Sequence, residues 1–282
     1  MSTSVFRTLS VTFFFALVFH CPVGSAQTVE QVLSKCRESL ERISSYEYTA
    51  LATTDNGVRI NFFFATEGEG YRYDQKGYVP FVPPEFRKSD FKVGYDGENH
   101  FRMRETSEIE VRPAKWSDGD GGFQDPFRIC FQWLTERTLR ADLLKNSAWQ
   151  EFAKSCDEVV ALDQVDGHSC QIVNGLRISD NSRFEIAFGD DVGYLPIRVR
   201  FKGLKKDART EPRVEWLFSE FKHFRIDGIS NYFPTKMIVR SLVVGRNAGV
   251  QTTTNLNVET LNINRPIPKQ LFRLEYDPIE RE

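Results

Sequence analysis

The chain has 282 residues, with Lys+Arg at 37 against Asp+Glu at 39 and a formal net charge of -2. That balance argues against a partner held by bulk positive charge, so nucleic acid is not expected. Apolar residues make up 40% and charged residues 27%, which suits a folded domain, and a mean hydropathy of -0.40 argues against a polytopic membrane protein.

The amino terminus reads as an export signal. Residues 11–23 are apolar apart from Thr12 and His20, Arg7 precedes them, and Gly24 and Ala26 stand at the −3 and −1 positions of a cut after Ala26. A basic start, a short apolar run and small residues form a secretory signal peptide. The run is shorter than the ~18–20 residues that span a bilayer, so no stable transmembrane segment is expected after cleavage. Lipidation at Cys21 is the other possibility, although His20 stands where a small residue is needed. Cleavage leaves 36 basic and 39 acidic residues, a net charge of -3. The expected organisation is a signal peptide over residues 1–26 and one domain over 27–282, in the periplasm or secreted.

The mature chain holds Cys36, Cys130, Cys156 and Cys170. An even number in an exported protein suggests disulfides. Cys156 and Cys170 flank a hairpin centred on Asp166-Gly167 and are the expected pair, with buried free thiols as the alternative.

Thr28-Val29-Glu30-Gln31 is a capping box, and Val29, Val32, Leu33, Cys36, Leu40 and Ile43 follow at helical spacing. From Tyr46 the period changes to two. Asp55-Asn56-Gly57 marks a hairpin, residues 58–66 form its return strand, and Tyr71-Arg72-Tyr73 starts the next. Residues 78–90, with Pro80, Pro83 and Pro84, read as a loop. Strands follow at 91–95, 100–104 and 108–112. A polar loop at 117–122 precedes Asp125, which can cap a helix with Pro126 at its first position. Leu139, Leu143 and Leu144 suggest another short helix. Beyond residue 156 the chain reads as strands at 157–165, 169–177, 183–189, 195–202, 213–225, 233–244 and 251–263. Short links make neighbours antiparallel. The count comes to about eleven strands and three helices. So many antiparallel strands hide their apolar face by curling.

Chemistry-bearing motifs are scarce. His100, His168 and His223 lie on separate elements, and no metal site is expected. Asp118, Asp120 and Asp125 resemble a calcium loop, but its twelfth position is Ile129 rather than Glu. Gly167-His168-Ser169-Cys170 places a nucleophile near a histidine, and Glu108 and Glu110 share a strand face. Neither pattern exceeds what strands and turns carry routinely, so no enzyme activity, cofactor or catalytic residue is expected. What remains is apolar. Phe62 and Phe64 share one strand face, as do Phe184, Ile186 and Phe188, then Val199 and Phe201, and Trp216 and Phe218, with Met237 on a later strand. These ten residues form either a sheet core or the lining of an acyl-chain site. Both need apolar inward side chains.

Three features together resemble the periplasmic lipoprotein-carrier family, the LolA-like proteins. They are the signal peptide followed at once by an amphipathic helix ending in Ile43-Ser44-Ser45-Tyr46, the stretch Asp190-Asp191-Val192-Gly193-Tyr194-Leu195-Pro196-Ile197-Arg198-Val199, and the tail Leu261-Asn262-Ile263-Asn264-Arg265-Pro266-Ile267-Pro268-Lys269-Gln270-Leu271-Phe272. The resemblance implies an α+β fold, a strongly curved antiparallel half-barrel with a few helices as lid over an apolar cavity. It implies a non-enzymatic periplasmic protein that binds a lipid or a lipoprotein acyl chain. The alternative is an envelope sensor or protein-interaction module on the same fold, with an envelope protein as partner. Arg59 and Arg72 are candidates for the arginine that ties lid to barrel in that family.

Overall fold

The computed structural model describes residues 27–78, 90–104, 108–113, 125–127, 145–176, 182–204, 214–242 and 251–275. The stretch read as an export signal, the stretches read as loops at 78–90 and 117–122, those read as helix between 128 and 144, and Cys130 fall wholly or largely outside them.

Helix α1 (Val29–Glu41) starts as the capping box requires: the Thr28 side chain accepts from the Gln31 amide, and Gln31 accepts from the Thr28 amide. Its stripe of Val32, Leu33, Cys36 and Leu40 is buried. Six strands follow: β1 (Ser45–Thr54), β2 (Arg59–Glu67), β3 (Gly70–Tyr78), β4 (Phe91–Tyr95), β5 (Asn99–Arg104) and β6 (Glu110–Pro113). Helix α2 (Asn146–Ser155) leads into β7 (Cys156–Val165), β8 (His168–Leu176), β9 (Ser182–Gly189), β10 (Leu195–Leu204), β11 (Val214–Ile226), β12 (Ile229–Leu242) and β13 (Gln251–Ile263). A short helix, α3 (Lys269–Phe272), closes the described chain. Among the described residues thirteen strands stand where about eleven were expected; the segments named from the sequence themselves number thirteen when counted one by one, so the total was short and the segments were not.

All thirteen strands form one antiparallel sheet in the order β6-β5-β4-β3-β2-β1-β13-β12-β11-β10-β9-β8-β7. Two meanders are joined where the first and last strands pair, from Tyr46↔Ile263 to Thr54↔Thr254. The sheet is open, with β6 and β7 as its two edges. One apolar cluster runs along one face from Phe62, Phe64 and Tyr73 across to Val173 and Phe184. Helices α1 and α2 and Phe127 lie on that face: Phe152 of α2 stacks on Phe184 at 5.8 Å, and Phe127 meets Tyr46 and Phe233 edge-on. This is consistent with a half-barrel wrapped around its helices.

The opposite face carries a smaller cluster of Ala65, Ile267, Leu271 and Phe272. The tail packs flat there because β3 and β4 offer glycines: a Cβ on Gly94 would sit 1.9 Å from the Phe272 carbonyl oxygen. Arg72, fully buried, donates to both carboxylate oxygens of Asp74 at 2.8 and 2.7 Å and to the Leu271 carbonyl at 3.1 Å. Of the two arginines considered as a lid latch, Arg72 therefore ties down the carboxy-terminal tail on the face away from the helices. Arg59, on β2, is exposed.

Candidate functional site

The ten apolar residues singled out from the sequence all join one packed cluster. Ile186, Phe188 and Val199 are fully buried, Phe62 and Phe201 are 7% exposed, and Phe64, Phe184, Trp216, Phe218 and Met237 fall between. Residues of α1 and α2 belong to the same cluster, and all ten side chains are buried against protein atoms. A cavity bordered by Met237, together with Tyr48, Leu256 and Val258, holds about 10 Å³, room for about one water. Deeper in the same core, the Asp125 carboxylate accepts from the Tyr46 hydroxyl and the Phe127 amide. Burial, then the charge of Asp125, pushes the Tyr48 phenol well above its ordinary value.

The expected disulfide is corrected. Cys156 and Cys170 are free thiols, as is Cys36. In the β7–β8 ladder Cys156 faces Gly175 while Cys170 faces Asp163. The two cysteines lie at opposite ends of the hairpin, about 20 Å apart at ~3.3 Å per residue, whereas a disulfide needs Cα atoms within ~7 Å. Asp166-Gly167 forms the turn as read, but the spacing about it is unequal. The thiols donate instead to the carbonyls of Phe152 and His168. Burial, then the charges of Asp157 and Glu30, pushes the Cys156 thiol up to about 12; burial, then Asp191, does the same to Cys170. Both stay protonated near neutrality and are poor nucleophiles.

The remaining titratable candidates are dispersed. His168 places Nδ1 2.9 Å from an Asp191 oxygen, His223 pairs with Ser230, and His100 stacks on Tyr95. Glu110 pairs with Arg112, and Glu108 is exposed. Among the described residues no three metal-ligating groups cluster.

The sequence reading did not find the open groove where the sheet splits. β11 and β12 pair along their full length to the Ile226↔Ile229 turn, whose Asp227 and Gly228 both have positive φ. The β12–β13 ladder, however, ends at Lys236↔Asn257. β13 continues to Ile263 with β1 on its other side. A groove of about 440 Å³ lies there, lined by Lys222 and residues 224–227 of the hairpin and by residues 261–265. Phe224, Ile226, Leu261 and Ile263 are half-buried in it, and Ile229 beside them is 48% exposed. Lys222, Arg225 and Arg265 are exposed, and their side chains form no ion pair with any described residue; Asp227 is the carboxylate at the turn. The sequence shows alternation at 222–226 but not that its neighbouring ladder stops at Asn257.

No family model matches the chain, and no curated protein matches it. Among solved structures it is similar to MucB in complex with MucA(peri), with 9% identity over 84% of this chain and 99% of that one and a TM-score of 0.22. It is also similar to a Bacteroides uniformis porin-like protein (9%, 78% and 97%, TM-score 0.26). A third likeness is to a beta-barrel-like protein of a domain of unknown function from Brucella abortus (10%, 79% and 99%, TM-score 0.26). None of the three is described as a lipoprotein carrier.

Proposed function

We propose that this chain is a non-enzymatic binding protein of the cell envelope, and that it holds a segment of a protein partner at the β11–β12 groove rather than an acyl chain among the ten inner-face residues. The export signal supports the location. The burial of those ten residues in one packed cluster that also holds residues of α1 and α2 weighs against lipid storage there. One observation carries the reading: the β12–β13 ladder stops at Lys236↔Asn257, beside a groove of mixed apolar and polar lining with three basic side chains. Unpaired edges are templates for another chain.

A photo-crosslinking amino acid at Phe224, with the same probe at exposed Lys76 on β3 as control, tests this in periplasmic extract. The expected result is an adduct at 224 and not at 76, mapping to one segment of one protein, with less than one lipid per chain extracted from the purified protein. One lipid per chain, lost in Ile186→Ser, would overturn the assignment in favour of a lipid carrier.

A further inference from the structure

Resting on that reading, we infer that the groove takes an extended, acidic peptide segment that adds as a strand to residues 258–263 of β13, in the place where β12 has turned away. Six residues of β13 run about 20 Å past the last β12 pair. On the β1 side their backbone groups are paired. On the other side the ladder with β12 has ended, so their outward N–H and C=O groups lack strand partners.

Strand addition supplies main-chain hydrogen bonds, while side chains at alternate positions supply selectivity. The groove offers two kinds of contact. Leu261, Ile263, Phe224 and Ile226 present half-buried apolar surface to one face of an incoming strand. Lys222, Arg225 and Arg265 line the groove, uncommitted to any described carboxylate, against Asp227 in the lining and the exposed Glu259 on the strand itself. The lining therefore carries more positive than negative charge on a protein whose net charge is -2, and it favours a bound segment of about six residues that carries carboxylates as well as apolar side chains.

A fluorescein-labelled Glu-Ile-Glu-Val-Glu-Ile peptide, followed by anisotropy on the whole mature chain, tests the inference. Three results are expected. The peptide binds, and affinity falls with added salt and at least tenfold in the Lys222→Glu/Arg225→Glu double variant. The Lys-for-Glu peptide and a peptide N-methylated at alternate amides do not bind. Amide exchange at residues 258–263 slows when the parent peptide is bound. Lys222 and Arg225 are exposed, so the variant should melt with the parent, which makes a loss of binding readable.

Equal binding of the Lys peptide, indifference to N-methylation, or unchanged exchange at 258–263 would overturn strand addition. Competition by phosphatidylglycerol vesicles but not by unlabelled peptide would reassign the groove to lipid. A protein adduct at position 224 without peptide binding would leave the partner reading standing and remove only this inference; loss of both would remove the reading as well.

Discussion

On the outer face a row of alternating charges runs across four strands. Glu185 on β9 lies opposite Arg200 on β10, Arg200 opposite Glu215 on β11, and Glu215 opposite Arg240 on β12. Arg200 Nε donates to Glu215 at 2.6 Å, and Arg240 donates to the other Glu215 oxygen at 2.9 Å. Opposite charges directly across a ladder support pairing in that register. Burial alone would raise the Glu215 carboxyl, but the hydrogen bond and charge of Arg200, then those of Arg240, outweigh it and hold the group below the ordinary carboxylate range. A folded-state value below the unfolded one contributes stability that is fully present above the unfolded carboxylate pKa of about 4.3. That stability is lost as pH falls through the folded value. Glu215→Gln should therefore melt below the parent at pH 7, and the two curves should converge as pH drops from about 5 to about 3. A melting-temperature series across that range checks it; parallel curves would mean that the row contributes nothing.

Among the elements, the carboxy-terminal tail shows what the sequence could and could not reveal. The capping box at Thr28, the hairpin turns at Asp55–Gly57 and Asp166-Gly167, and the alternation of nearly every strand were readable, because each rests on residues within a few positions of one another. α2 was not readable: its N-cap residue, Lys145, makes no side-chain capping bond, and Trp149 and Phe152 give it a single i, i+3 pair. Nor was the burial of Arg72, since a charged residue in a strand reads as outward until something covers it. The cover comes from Leu271, 199 residues away. Likewise, the apolar inner face was legible residue by residue, but whether helices filled it was not. Breaking a buried ion pair by removing one partner costs about 3–5 kcal/mol. Arg72→Met should lower stability by that order, and Arg72→Met/Asp74→Leu should recover part of it. Amide exchange at residues 271–274 should quicken in the single variant before global unfolding. A loss within ~0.5 kcal/mol, the size of a surface change, would show that the tail is held without Arg72, by Ile267, Leu271 and Phe272 with the Glu67 and Asp96 contacts.

At the scale of the whole molecule, two meanders share one apolar core, and the chain's own helices occupy the side of the sheet where a carrier would hold its cargo. Ile186 lies on that face in β9, the third strand from the β7 edge, fully buried, with Phe184 and Phe188 beside it along the strand. In a packed core, Ile186→Ser removes apolar volume and introduces a hydroxyl without a designed partner, a loss of about 2–5 kcal/mol. In a lipid site, the same change would act chiefly on binding. Linkage separates the two cases. A ligand at 100 times its dissociation constant raises stability by about 2.7 kcal/mol, which in a protein of this size moves the melting temperature by roughly 5–10 °C. The expected outcome is that the parent gains less than about 1 °C from oleate at concentrations below micelle formation, while Ile186→Ser melts well below it with or without the fatty acid. A shift of several degrees in the parent that disappears in Ile186→Ser would mean that α1 and α2 lift away from the inner face, making the ten residues a lipid-binding surface in a second state of the protein.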